Sequence, residues 1–167
     1  MKPYEKIQGR AWVLGDNIDT DQIIQGRYLT LLSYKEMAKH ALEILRPDFP
    51  TNVKKNDVIV AGRNFGSGSS REEAPQVLKE LGTGCIVAES FSRIFYRNGF
   101  NVGLPLMMVK GVSSNVEDGN ALTVDFTEGT LINNDSGKVL RGEPLPTFMS
   151  EILEAGGAVS RYKKLKR

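Results

Sequence analysis

The chain has 167 residues, is 40% hydrophobic and 25% charged, and carries a net charge of +2, which suits one globular domain spanning 1–167. So small a charge argues against nucleic acid as a partner, and no apolar run approaches the ~20 residues that cross a bilayer. One cysteine, Cys85, and one histidine, His40, exclude an internal disulfide and any zinc or iron–sulfur site built by this chain alone.

The first residues, MKPYEKIQGR, lack the apolar core of a signal peptide, so a cytoplasmic location is expected. Residues 11–14, AWVL, read as a short strand, and the Asp-, Asn- and Gly-rich residues 15–28 read as loop. Ser33 with Glu36 forms a capping box. After it Met37, Ala38, Ala41, Leu42 and Leu45 share a helical face until Pro47 stops the helix. His40 falls on this helix without a partner for a ligand role, and a surface or boundary position is expected.

Residues 57–62, DVIVAG, are a compact β-branched run and read as a buried strand. Residues 72–81 read as a helix with Val77, Leu78 and Leu81 inward. A second buried strand follows at 84–90, with Cys85 inert inside it. Residues 91–100 look helical with Ser90 as the cap, and 104–109 are a further apolar run. Strand, helix, strand, helix, strand is the pattern of an α/β layer. Residues 122–140 then read as a β-meander. Residues 147–155 form a last amphipathic helix ended by Gly156 and Gly157. Arg161, Lys163, Lys164, Lys166 and Arg167 crowd the C-terminus, either as a solvated helix end or as a contact for an acidic partner surface.

The stretch AGRNFGSGSSREEAP, residues 61–75, asks for a function. A P-loop fails, because the spacing from Gly62 to Gly68 is too long and Lys is absent. The dinucleotide pattern needs Gly where Arg71 stands, and no Gly-x-Ser-x-Gly occurs. Pro75 is tolerated only in the first turn of a helix, so Ser69, Ser70 and Arg71 lie at a helix N-terminus, where free N–H groups attract an anion. Gly66 and Gly68 admit positive φ and close backbone approach, and the Arg71 fork matches a carboxylate. Ser69-x-x-Glu72 and Ser70-x-x-Glu73 are also capping boxes, so a capped turn without a ligand is the plainer alternative.

NFGSGSSRE, residues 64–72, resembles the motif of the small swivelling domain of the aconitase superfamily. GRAWVLGDNIDTDQIIQGRYL, IVAESFSRIFYRNGFNVGLPL and LPTFMSEILEAGGAV resemble that family's N-terminal, central and C-terminal blocks, so the likeness covers nearly the whole chain. It is most similar to the small subunits of 3-isopropylmalate dehydratase (isopropylmalate isomerase), with archaeal-type homoaconitase close by. The resemblance implies a three-layer β/β/α swivelling fold. It implies a hydro-lyase subunit of leucine biosynthesis, inactive without a large subunit in a heterodimer or heterotetramer. The [4Fe–4S] cluster is expected on that partner, with no cofactor in this chain. It implies that Ser69, as an alkoxide, is the base, that Arg71 binds a substrate carboxylate, and that Ser70 and Gly68 support the same region. Asp21, in DTDQII, takes a position that faces the family's active site, with an Asx turn as the alternative.

Thr30, Leu31 and Leu32 take the place of the family's substrate-recognition loop. Archaeal-type homoaconitases resemble one another in carrying Arg where Thr30 stands, and an apolar loop suits an isopropyl group better than a third carboxylate. Packing of Leu31 and Leu32 against the following helix is the alternative. Glu73 replaces the family's usual His, and Ser67 a common Cys; together with the Thr30–Leu32 loop they leave room for dimethylmalate or another alkylmalate, with homoaconitate kept as a further alternative. A non-catalytic anion-binding module would keep Gly66, Gly68 and Arg71 without needing Ser69, and an interaction protein would need only the capped turn. Arg93 and Arg97 are expected to point at the same site or at the partner.

Overall fold

The computed structural model describes residue 2 and residues 4–167. Its spine is β1 (Lys6–Val13), which joins two halves of a seven-stranded sheet. Residues 6–10 of β1 pair antiparallel with β5 (Ala121–Asp125), while residues 11–13 pair parallel with β2 (Val58–Ala61). The strand therefore begins five residues before the expected AWVL. Lys6, Gln8 and Arg10 face outward and only Ile7 is buried there, a half-solvated pattern that charged residues conceal.

Beyond β2 the sheet continues in parallel with β3 (Cys85–Ala88) and β4 (Leu106–Met108), and beyond β5 antiparallel with β6 (Thr130–Asn133) and β7 (Val139–Arg141). A bridge between Val109 and Gly142 joins the two outer edges. The sheet is thus rolled, its parallel half against its antiparallel half, and the helices form the third layer of the β/β/α fold. Every residue of β2 and β3 is buried, as strands covered on both faces must be.

The helices are α1 (Thr20–Ile23), α2 (Tyr34–Ala38), α3 (Phe49–Asn52), α4 (Glu73–Glu80), α5 (Arg93–Val102), α6 (Val112–Asn115), α7 (Thr147–Glu154) and α8 (Ala158–Leu165). Among the described residues none is long and apolar enough to cross a membrane. Two differ from expectation in instructive ways. The helix expected over 33–45 stops at Ala38, because Leu42 turns left-handed (φ 57°) and donates its N–H to Ile23 O at 2.8 Å. Burial of Leu42 overrides a good helical pattern. The cap of α5 is Ser92, whose Oγ accepts from Phe95 N. Ser90 is engaged elsewhere: its carbonyl accepts from Phe65 N at 3.0 Å, and its Oγ accepts from Asn64 N at 2.8 Å.

Asp57 anchors the start of β2. It is buried and accepts from Trp12 Nε1 at 2.9 Å, Lys54 N at 2.8 Å and Arg10 N at 3.2 Å. Asp57→Ala orphans three donors and is expected to lower stability by about 2–4 kcal/mol. A drop in the urea midpoint at constant m-value would measure it; an unchanged midpoint would remove Asp57 from this role.

Candidate functional site

Parallel pairing of β1 with β2 does not stop where the strands end. Leu14 N donates to Val60 O, Asn17 N to Arg63 O, Gly66 N to Ile18 O and Thr20 N to Ser67 O, at 2.7–2.9 Å. The Asp-rich loop and the Gly–Ser loop therefore run side by side off the same end of the sheet. Thr20 Oγ1 adds a bond to Ser69 O at 2.9 Å, and Ser92 Oγ donates to Gly66 O at 2.8 Å. Phe65 and Phe95, ring centroids 5.1 Å apart, plug the loop from below. These supports were missed in the sequence, although the Thr of DTD and a Ser three residues before Phe95 carried the signal.

This bracing brings Asp21 to Arg71 across 50 positions of sequence. Arg71 Nη1 donates to Asp21 Oδ1 at 3.1 Å and to Ile24 O at 3.0 Å, and Gly26 N donates to the same Asp21 oxygen at 3.1 Å. The Gly26 amide and the Arg71 guanidinium hold the Asp21 carboxyl below its ordinary value. Asp21 is thus more than an Asx turn: it aims Arg71 and ties down the start of the Gly26–Tyr28 turn that leads to Thr30. Both Arg71 bonds use Nη1, leaving Nη2 and Nε for a ligand.

Ser69 and Ser70 precede α4, as expected, yet neither caps it. The helix starts at Glu73 with Glu72 as N-cap residue and no side-chain cap. Both serines and Gly68 are exposed, and Gly68 takes φ 91° beside Thr20. The capping boxes are absent, so the loop does not spend its serines on the helix. Glu72 at the N-cap and Glu73 in the first turn add negative charge, Ala74 N is spent on Arg71 O and Pro75 has no N–H, which leaves Arg71 as the main source of positive potential.

Thr30, Leu31 and Leu32 follow a 3₁₀ turn, Gly26–Tyr28. Thr30 Oγ1 reaches only Arg27 O, at 3.4 Å. Leu31 packs on the core, whereas Leu32 is fully exposed at 101%. The packing alternative therefore accounts for Leu31 and not for Leu32. Arg93 and Arg97 lie elsewhere, lining a cavity of about 580 Å³ with Phe91, Tyr96, Phe100 and Phe148; no residue of the Gly–Ser loop lines it. Of the C-terminal cations, Arg161 pairs with Glu151 at 2.8 Å on α7.

Residues 16–111, which carry both loops, match the model of the aconitase C-terminal domain. The chain belongs to the aconitase C-terminal domain family. Among curated members, the 3-isopropylmalate dehydratase small subunit 1 of Methanopyrus kandleri is 56% identical over 95% of this chain and 93% of its own. The isopropylmalate/citramalate isomerase small subunit of Methanocaldococcus jannaschii is 51% identical, over 95% and 94%. The methanogen homoaconitase small subunit of Methanothermobacter thermautotrophicus is 50% identical, over 95% and 91%. The crystal structure of 3-isopropylmalate dehydratase (leuD) from Methanocaldococcus jannaschii superposes with a TM-score of 0.91 at 41% identity, covering 96% of this chain and 95% of that one. The rolled β/β/α architecture is the family's.

The residues of this chain do not fit an iron–sulfur cluster. Cys85, its one thiol, is wholly buried on β3, where burial pushes it well above the ordinary thiol range. Among the described residues no three His, Cys, Asp or Glu side chains converge.

Proposed function

We propose that this chain is the small subunit of a hydro-lyase that interconverts 2-isopropylmalate and 3-isopropylmalate by removing and re-adding water. One observation carries the reading. Ser69, exposed and free of any capping duty, stands two residues from an arginine whose Nη1 is locked by Asp21 while its other donors stay open. The small-subunit names of the relatives support a large-subunit partner.

Within this site Arg71 holds one substrate carboxylate in a forked, charge-assisted contact. Ser70 and the Gly68 backbone border the same carboxylate. Ser69, as an alkoxide, takes the proton from the carbon next to that carboxylate, its charge stabilised by Arg71. A [4Fe–4S] cluster on the partner would supply Lewis-acid chemistry at the substrate hydroxyl. The exposed Leu32, with no cation at residues 30–32, offers an apolar contact for the isopropyl group.

The reading is tested by mixing this chain with its cluster-loaded large subunit and following hydration of isopropylmaleate, cis-homoaconitate and dimethylmaleate. The highest kcat/KM is expected for isopropylmaleate, with no turnover by the small subunit alone. Turnover of homoaconitate alone would overturn the role given to residues 30–32 while leaving the reaction type in place.

A further inference from the structure

Leu42 is buried and holds φ 57°, a conformation that a branched, bulky residue seldom adopts and that tends to persist where surrounding structure demands it. The break it makes turns residues 39–45 away from the axis of α2. His40 and Glu43 are thereby set against Tyr28. The imidazole stacks on the Tyr28 ring with centroids 3.7 Å apart and planes 6° from parallel. Its Nδ1 lies 3.0 Å from Glu43 Oε2. The other Glu43 oxygen accepts from Gln25 Nε2 at 3.0 Å and lies 4.0 Å from Arg27 Nη2. The Arg27 guanidinium also lies over the Tyr28 ring, 4.8 Å from its centroid.

All these contacts converge on the Gly26–Tyr28 turn. At its start the turn is tied to the Asp21–Arg71 pair through Gly26 N. Beyond it, Thr30 has one long bond and Leu32 has no cover. The direction in which residues 29–32 leave the core is therefore fixed from behind, by the ring against Tyr28.

We propose that His40, held by Glu43, is a positioning residue for substrate specificity: it backs Tyr28 and so fixes the loop that presents Leu32. The proposal rests on the function given above and deepens it. A His40 that only fills space would affect all substrates alike; a positioning His40 affects those that need the loop's apolar contact.

Two measurements separate these cases. In the full-length chain, His40→Ala is expected to speed hydrogen exchange of the Tyr28, Leu29 and Leu31 amides, which bond to Gln25, Gly26 and Tyr28 carbonyls, by about tenfold, with the β2 amides changed less than about twofold. In the complex with the large subunit, its KM for isopropylmaleate is expected to rise about tenfold, with kcat, and KM for the smaller methylmaleate, moving less than about twofold. His40→Phe, which keeps a ring face without the Glu43 bond, is expected to recover most of the loss. Equal KM changes for both substrates, or unchanged exchange at the turn, would overturn the proposal. If the wild-type complex hydrates neither substrate, the functional reading falls, and the exchange data still decide whether His40 fixes the turn.

Discussion

Replacing Ser69 by alanine is expected to lower turnover by about 10²–10⁴-fold, the usual contribution of a positioned base, while leaving substrate binding and folding intact. The expectation is sharp because the structure gives this hydroxyl no capping duty to lose. It is exposed and caps nothing, and Thr20 holds the loop through the Ser69 carbonyl, which alanine retains. Stability should therefore change by less than about 0.5 kcal/mol. Ser92→Ala is the contrasting control. Its hydroxyl caps α5 and donates to Gly66 O, so its loss should cost about 1 kcal/mol of stability. Steady-state kinetics of the reconstituted enzyme, urea titrations and ligand-binding calorimetry compare the two. Full activity in Ser69→Ala would take the base away from this residue. Loss of stability in Ser69→Ala would make the serine a structural element after all.

The parts of the fold that were legible in the sequence are those in which local pattern and burial agree. β2 and β3 are uninterrupted apolar runs buried at every position, and α4 and α5 follow them where the spacing puts them. Legibility fails where distant contacts decide. Nothing local announces that Leu42 must leave a helix to donate to Ile23 O, and so His40 looked like an idle helical residue rather than a ring stacked on Tyr28. Ser90 and Ser92 are equally good caps by type, and it is the distant contacts with Asn64 and Phe65 that take Ser90 away from the helix. α8 has no buried residue at all, so no apolar stripe marked it as a helix separate from α7. At the site, the motif pointed to Ser69, Ser70 and Arg71 through family likeness. The partnership of Arg71 with Asp21 required the two loops to extend the β1–β2 pairing, which is a property of the sheet.

The second large effect concerns the loop's glycines, which are not equivalent. Gly66 and Gly68 both take positive φ, 83° and 91°. A Cβ at Gly66 would meet Phe95 Cγ at 2.2 Å, inside the aromatic plug formed with Phe65. A Cβ at Gly68 would find Thr20 Oγ1 at an ordinary 3.5 Å. Gly66→Ala therefore combines left-handed strain with a core clash and is expected to lose about 2–5 kcal/mol. Gly68→Ala carries only the strain, about 1–2 kcal/mol. The consequence for function differs as well. The Gly66 N–H bonds to Ile18 O, its carbonyl accepts from Ser92, and Phe95 packs beneath it. Displacing Gly66 shifts the whole path from the end of β2 to Arg71, so activity should fall with stability. Gly68 lies on the exposed side, at the proposed carboxylate site, where an added methyl makes only ordinary contacts with the protein. Its alanine variant should lose less stability than Gly66→Ala, yet raise KM. Urea midpoints and KM values for the two variants form the test. Equal destabilisation of both would mean that Phe95 yields to the methyl and that positive φ alone governs this loop.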